Sequence, residues 1–468
     1  MNGVRMQRAL GMLIATFAIS SLSGVSAVAR SGTSAERNTV DQYDQRGAPI
    51  DIAALLVAAR GAPPIICSLA SRAIQGYGWN RTDAPATPLG SFASSTSDDF
   101  DRQEALADAD VQRLLAGLAS DDACVREMSV RLIGTQKAER VGGELVTRLA
   151  SPDIGMRTVA ALGLGLVEAQ TAVDPLIRSL RDAAPDVRAN SAWALGRLEA
   201  GRALSPLVAL FGDNTENVRL AAVSAVGRLD STMAVPALIR VLRQDDSPRV
   251  RRVAAWALGS LEARDGIDAL GNALAHDADP GVREMSAWAL GSMDDRRAVP
   301  ALAAALRQDS EDRVRETAVW AIGQLDDRSS IDILGAATSD RSPRVRGTAA
   351  WAIGQLEDEG AKAPPGLLHL LSDPDPDTRL KAAWALGQLG DPTALPSLRN
   401  ALNDEKNDHV RRALIRGLMK SGERSEATMT QLLTSSDPRV REAAVRGLAG
   451  RNAFDPWPWP WPRPRPFP

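Results

Sequence analysis

Three sets of residues in this chain recur at spacings that could support chemistry. An Asp stands six residues before an Arg in seven consecutive places: Asp182 and Arg188, Asp213 and Arg219, Asp245 and Arg251, Asp277 and Arg283, Asp309 and Arg315, Asp340 and Arg346, Asp373 and Arg379. Carboxylates and guanidiniums in such a row either bind a ligand or lock one another through charge-assisted hydrogen bonds. Trp follows the same Arg by five residues at Trp193, Trp256, Trp288, Trp320, Trp351 and Trp384, interrupted only by Ser224. An aromatic row of constant pitch is either a binding stripe or the packing between like units. The third set is the ending "DPWPWPWPRPRPFP" (455–468), where Trp457, Trp459, Trp461, Arg463 and Arg465 alternate with prolines.

Catalytic arrangements are missing. The three histidines, His276, His369 and His409, stand far apart in sequence, and none has a Glu beside it. No zinc motif, paired metal-spaced cysteines, phosphate loop or nucleophile elbow is present, so no catalytic residue, metal or cofactor is expected. With Lys+Arg at 55 and Asp+Glu at 58, the net charge is −3, which argues against nucleic-acid binding.

The elements that must hold these rows follow from a repeat. An Arg, in most units preceded by Val, recurs at 126, 157, 188, 219, 251, 283, 315, 346, 379, 411 and 441. Constant spacing of this length marks a solenoid of stacked units. Four residues before the Arg stands a helix-capping Asp, Ser, Thr or Asn in most units, for example Ser247, Asp279, Ser342, Asp375 and Asp437. Pro often comes next (Pro185, Pro248, Pro280, Pro343, Pro376, Pro438), at the first helical position, where its missing N–H costs nothing. Each unit therefore reads as two helices, the second starting at this mark. On a helical wheel of that second helix, Val250, Val253, Ala254, Ala257, Leu258 and Leu261 form a core stripe of about 140°. Trp256 falls on one flank, a place for packing against a neighbouring unit. A Gly eight residues after the Arg recurs mid-helix at about 1 kcal/mol against Ala, which implies close approach of a neighbouring backbone or indole. The Asp row falls in the turn between helices, so a structural Asp–Arg ladder stitching units together is the favoured reading.

Asp, five residues, Arg, then "A-W-A-L-G-x-L" resembles the short bacterial repeats of HEAT proteins similar to phycobilisome (phycobiliprotein) lyases, over about 104–449. The resemblance implies an all-α solenoid, a right-handed superhelix of about eleven two-helix repeats, whose second helices line a concave side that grips another protein. A lyase-like HEAT enzyme is the alternative it raises.

Around the array, Arg5 and Arg8, the apolar "LGMLIATFAI" (10–19) and "AVA" (27–29) read as a secretory signal peptide over 1–29, cleaved after Ala29 or kept as an anchor. Residues 30–50 read as a flexible segment, 51–75 as an N-terminal helical pair or cap, 76–103 as a linker, 104–450 as the solenoid and 451–468 as a disordered or polyproline II tail. Cys67 and Cys124 either pair or stay free; Cys124 falls in a slot held elsewhere by Asp186, Asn217, Arg249, Arg344 or His409, and is expected to be exposed. The expectation is an exported, periplasmic or extracellular, non-enzymatic scaffold for a protein or peptide ligand. The tail offers a second contact, to a groove or to a membrane surface or envelope.

Overall fold

The computed structural model describes residues 51–64, 67, 82–83, 93–94, 106–325, 327–356, 362–436 and 438–448. Residues 1–29, expected to form a signal peptide, residues 30–50, the Asp437 cap and the tail, with Trp457, Trp459, Trp461, Arg463 and Arg465, lie outside the described residues.

Local sequence sets the helix starts. Helix α1 is Ile52–Ala59. The first three units pair α2 (Asp108–Gly117) with α3 (Ala123–Ile133), α4 (Ala138–Arg148) with α5 (Ile154–Leu166), and α6 (Val173–Ser179) with α7 (Pro185–Arg197). Next come α8 (Leu204–Ala209) and α9 (Glu216–Val226), α10 (Val235–Gln244) and α11 (Pro248–Ser260), and α12 (Ile267–His276) and α13 (Pro280–Ser292). Then follow α14 (Val299–Gln308) and α15 (Asp312–Gln324), α16 (Ile331–Ala337) and α17 (Pro343–Gln355), and α18 (Pro365–His369) and α19 (Pro376–Leu389). The last units are α20 (Leu395–Asp404) with α21 (Asp408–Lys420), and α22 (Glu426–Leu433) with α23 (Pro438–Leu448). Within 76–103, read as a linker, Thr82–Asp83 (β1) pairs antiparallel with Ala93–Ser94 (β2).

Capping follows the expected chemistry except at Thr215 and Ser342, whose side chains accept no first-turn N–H. Asp279 accepts from Val282 N at 3.0 Å and Asp375 from Thr378 N at 2.8 Å, filling donors that the first turn leaves free. Ser342 makes no such cap; its hydroxyl reaches Asp312 Oδ2 of the preceding unit at 3.4 Å instead.

The second helices are buried nearly all round. In α11, Val250 and every residue from Val253 to Gly259 are buried, the core stripe and the opposite side alike. The in-unit partner α10 and the neighbouring second helices α9 and α13 all pack on it. Second helices of consecutive units pack on one another (α11 on α13, α13 on α15) more extensively than first helices do (α10 on α12). Ala and Gly permit this, since helix axes close to 8 Å apart leave no room for larger side chains. One core cluster runs from Ile52 to Ala444.

Helix exits carry an unforeseen pattern. Glu168, Glu199, Asp230, Glu262 and Asp294, each following the last Leu, Met or Val of a second helix, have φ between 46° and 54°. In later units Gly390 and Gly422 stand there, at φ 64° and 86°. The next N–H then reaches back to seal the helix, as Ala263 N does to Leu258 O at 3.0 Å. The left-handed state costs a non-Gly residue about 1 kcal/mol.

Candidate functional site

Each ladder rung starts with an Arg on the first turn of a second helix. Arg251 donates from Nε to Asp277 Oδ2 and from NH2 to Asp277 Oδ1, both at 2.8 Å. Its NH1 reaches the carbonyl of Asp245, six residues earlier in its own unit, at 2.9 Å. Asp277 Oδ1 also accepts from Asp279 N at 2.9 Å. Each Arg thus binds the backbone of its own unit's Asp and the carboxylate of the next unit's Asp. Sequence neighbours six residues apart are joined through the main chain, and side-chain pairs bridge units. The same bidentate geometry joins Arg188 to Asp213, Arg219 to Asp245, Arg283 to Asp309, Arg315 to Asp340 and Arg346 to Asp373. Asp182 is taken by Arg157, and Arg379 by Glu405, two partners that the sequence reading of the row left out. Glu405 was detectable as an acid in the Asp slot of its unit.

Electrostatics match this geometry. Burial raises the Asp277 carboxyl, but the hydrogen bonds from Arg251 and Asp279 N and the charges of Arg251 and Arg283 outweigh it, leaving it below the ordinary Asp value. Asp182, Asp213, Asp340, Asp373 and Glu405 are lowered by the same balance of burial against hydrogen bonds. These carboxylates are committed to the frame and offer no open site.

The Trp row packs between units. A Cβ placed on Gly165 would lie 2.6 Å from Trp193 Cζ3, and on Gly227, Gly259 and Gly354 the distances to Trp256, Trp288 and Trp384 would be 2.7, 2.9 and 2.5 Å. Gly291 and Gly323 face Trp320 and Trp351 at 3.3 and 3.5 Å. Where Ser224 replaces the indole, Gly196 meets the Ala225 backbone instead. The recurring glycine is therefore needed for the neighbour's backbone and indole together. Trp193, Trp256, Trp320 and Trp351 are buried, while Trp288 and Trp384 remain half-buried.

Cys67 and Cys124 are joined in a disulfide, with Cα atoms 5.6 Å apart. Contrary to expectation, Cys124 is buried. Its slot is open in later units, but here Ala59 of α1 packs on it together with Met128.

A face remains along the second helices that the frame does not use. The position after the ladder Arg carries Arg252, Glu284 and Glu316, all half-buried, and α19 adds Lys381 two residues after Arg379. Burial raises the Glu316 carboxyl, with Asp312 and Glu284 adding to it against Arg344 and Lys381. Burial likewise lowers Lys381 and Arg252. The Glu316 carboxylate receives one long contact, from the Thr348 hydroxyl at 3.5 Å, and among the described residues no cation pairs with it within 4.0 Å. Gly347 makes room for the Lys381 stem, which would lie 3.1 Å from a Cβ there. Lower down, a cavity of about 530 Å³ opens beside Asp373, Arg379 and Glu405, with a ladder rung in its wall. His276, His369 and His409 are exposed in three different units.

Residues 143–449 match the family model for HEAT repeats, in overlapping segments 143–227, 173–251, 204–291, 235–322, 299–364 and 364–449. The chain belongs to the HEAT-repeat family. No curated protein matches this HEAT chain. A similar solved structure is Kap95p, whose binding induces the switch loops of RanGDP to adopt the GTP-bound conformation; identity is 14%, coverage 73% of this chain and 55% of that chain, and TM-score 0.51. Also similar are CpcE and CpcF of phycocyanin lyase from Nostoc sp. PCC7120, at 22% identity, 53% and 94% coverage and TM-score 0.31. An engineered protein matches at 20% identity, 65% and 97% coverage and TM-score 0.39. The all-α solenoid of this HEAT array is the architecture these findings share.

Proposed function

We propose that this HEAT protein is an exported, non-enzymatic scaffold that holds a protein or peptide along the row of its second helices, the concave row that the family resemblance implies. HEAT solenoids commonly mediate protein–protein interaction. The observation that carries the reading is the set of half-buried charges, Arg252, Glu284, Glu316 and Lys381, which stand on the second helices outside the ladder. Keeping such groups partly desolvated is unfavourable to the free protein and favourable to recognition. Export is supported by the leader-like sequence of 1–29 and by the Cys67–Cys124 bridge, which persists in oxidising compartments.

The test uses a photo-crosslinking amino acid at exposed positions of the full chain expressed with its own leader. Gln324 reports on the second-helix row and Asn272 on the first-helix row. Adducts to a defined protein from position 324 and none from 272 are expected, with a mature chain beginning at Arg30. Equal labelling from both positions, or a cytoplasmic uncleaved chain, would overturn the reading.

A further inference from the structure

The ladder ends before the array does. From Arg157 to Arg379, eight successive guanidiniums each take a carboxylate of the following unit, with Nε on one oxygen and NH2 on the other. Arg411 holds the next place. It stands on the first turn of α21, where its backbone N–H donates to Asn407 O at 2.9 Å, as Arg251 N does to Ser247 O at 3.1 Å. The acceptor slot that follows it, six residues before Arg441, carries Ser435. Arg411 Nε is buried without an acceptor, and no carboxylate or carbonyl among the described residues binds the rest of its guanidinium. Arg126 also precedes a serine slot, Ser151, but its NH1 keeps the carbonyl of Ser120. A desolvated guanidinium N–H without an acceptor is unfavourable, and a ligand that accepts from it recovers the loss.

The other rungs show which ligand suits the place. There the slot carboxylate takes two hydrogen bonds from the preceding Arg and feels the charge of its own unit's Arg as well. Arg251 and Arg283 both act on Asp277, and Arg346 and Arg379 on Asp373. In the last unit Arg441 NH1 donates to the Ser435 carbonyl, as Arg379 NH1 does to the Asp373 carbonyl. The slot thus keeps both of its cations, and Ser435 brings no carboxylate between them. One hydroxyl oxygen cannot meet two donors of a planar fork as a carboxylate does.

We propose that Arg411 is a binding site for a carboxylate, which enters the Ser435 slot and completes a ninth rung with Arg411 and Arg441. Bidentate, charge-assisted geometry selects a carboxylate over a halide or a neutral amide. A small free carboxylate and the Asp or Glu side chain of a protein share this chemistry. The site lies on the ladder, outside the charges that carry the scaffold reading, and stands independently of that reading.

The test is an NMR titration of the full chain that follows the arginine Nε–Hε signals. Acetate or N-acetyl-aspartate N-methylamide is added at constant ionic strength, and Arg411→Lys identifies the Arg411 signal. That signal is expected to shift to saturation with both ligands, while those of Arg251 and Arg346 stay in place. Ser435→Asp supplies the carboxylate from within, so it should weaken binding at least about tenfold without lowering the melting temperature. Binding of the aspartate derivative about tenfold more tightly than acetate assigns the site to an acidic side chain of a protein; equal affinity assigns it to small free carboxylates. No saturation below ~100 mM overturns the proposal, as does an equal response to acetamide or undiminished binding by the Ser435→Asp chain. An Arg411 signal displaced by Asp437→Asn without added ligand also overturns it, because a carboxylate of the chain would then already hold the guanidinium. Should Ser435→Asp not fold, the wild-type comparison of acetate with acetamide decides alone. Crosslinks from position 324 that persist while the titration fails would sink this site and leave the scaffold reading standing.

Discussion

Replacing Asp277 with Asn cuts the rung between α11 and α13 while keeping the shape of the side chain. The Asn oxygen can still accept from Asp279 N, but Arg251 loses the carboxylate that takes two of its hydrogen bonds at 2.8 Å. It keeps only the Asp245 carbonyl and a long contact to Asp246 O. The rung is 16% exposed at Arg251 and 8% at Asp277. Exposed pairs contribute about 0–1 kcal/mol, and breaking a fully buried pair costs about 3–5 kcal/mol, so about 2 kcal/mol is expected here. Arrays of this length need not unfold in two states, so the assay is native-state hydrogen exchange of the α11 and α13 amides. A double-mutant cycle with Arg251→Leu should return a coupling of about 2 kcal/mol. The pH sign is fixed by the lowered Asp277 value. The stabilisation is fully present above the unfolded Asp value near ~4, and is lost as pH falls through the lower folded value. Wild type and Asp277→Asn should therefore converge in acid. A coupling under about 0.5 kcal/mol, or a difference unchanged down to the acid limit, would refute the ladder as a stabilising device.

Further predictions concern packing. Gly259→Ala should destabilise by about 2 kcal/mol because its Cβ would sit 2.8 Å from the Ala289 backbone, whereas Gly143→Ala, with nothing within 4 Å, should stabilise by up to about 1 kcal/mol; thermal melts of both variants test the opposite signs. Trp320→Ala should cost about 3 kcal/mol in stability, read by urea unfolding, with no separate loss of ligand capture from chains that remain folded. Reduction of Cys67–Cys124, which closes a separation of 57 residues, should release about 4 kcal/mol of local stability; exchange protection should fall in α1 and α3 but not in α13, and uniform loss would contradict a bridge serving only the first unit.

The solenoid was legible in the sequence because its signals are short-range and repeated. Proline at the first helical position, caps before it and the Ala-Trp-Ala pattern act within one helix, so Pro248 and Ser247 announce α11 without knowledge of its neighbours. Ladder partners were less legible. Asp245 and Arg251 are close in sequence, yet the carboxylate of Asp245 belongs to Arg219, since pairing depends on how units stack. Cys124 was misplaced for the same reason: its slot is exposed or half-buried from Gly155 to His409, and α1 covers it in the first unit. Acids at the left-handed exits recur eleven residues after the Arg in five consecutive units, Arg157 to Arg283, a period that could have been found but whose backbone state no residue type reveals. Glu316 and Lys381 carried no signal in the sequence, because their partial burial comes from neighbouring helices.

The offset of the ladder bears on how such a chain can change its length. Between Arg157 and Arg411, each stretch from one repeat Arg to the next carries one donor and one carboxylate acceptor, so excising or duplicating one leaves the remaining pairs of the ladder matched. Towards the two ends the acceptor slots hold Ser120, Ser151 and Ser435; Arg126 and Arg441 bind the carbonyls of Ser120 and Ser435 in their own units, and among the described residues Arg411 Nε meets no acceptor. Neither the first nor the last of these slots carries a carboxylate for a further unit's arginine. A gain or loss of whole units between Arg157 and Arg411 therefore costs no carboxylate–guanidinium pair, whereas the end slots offer no such bond to a second copy.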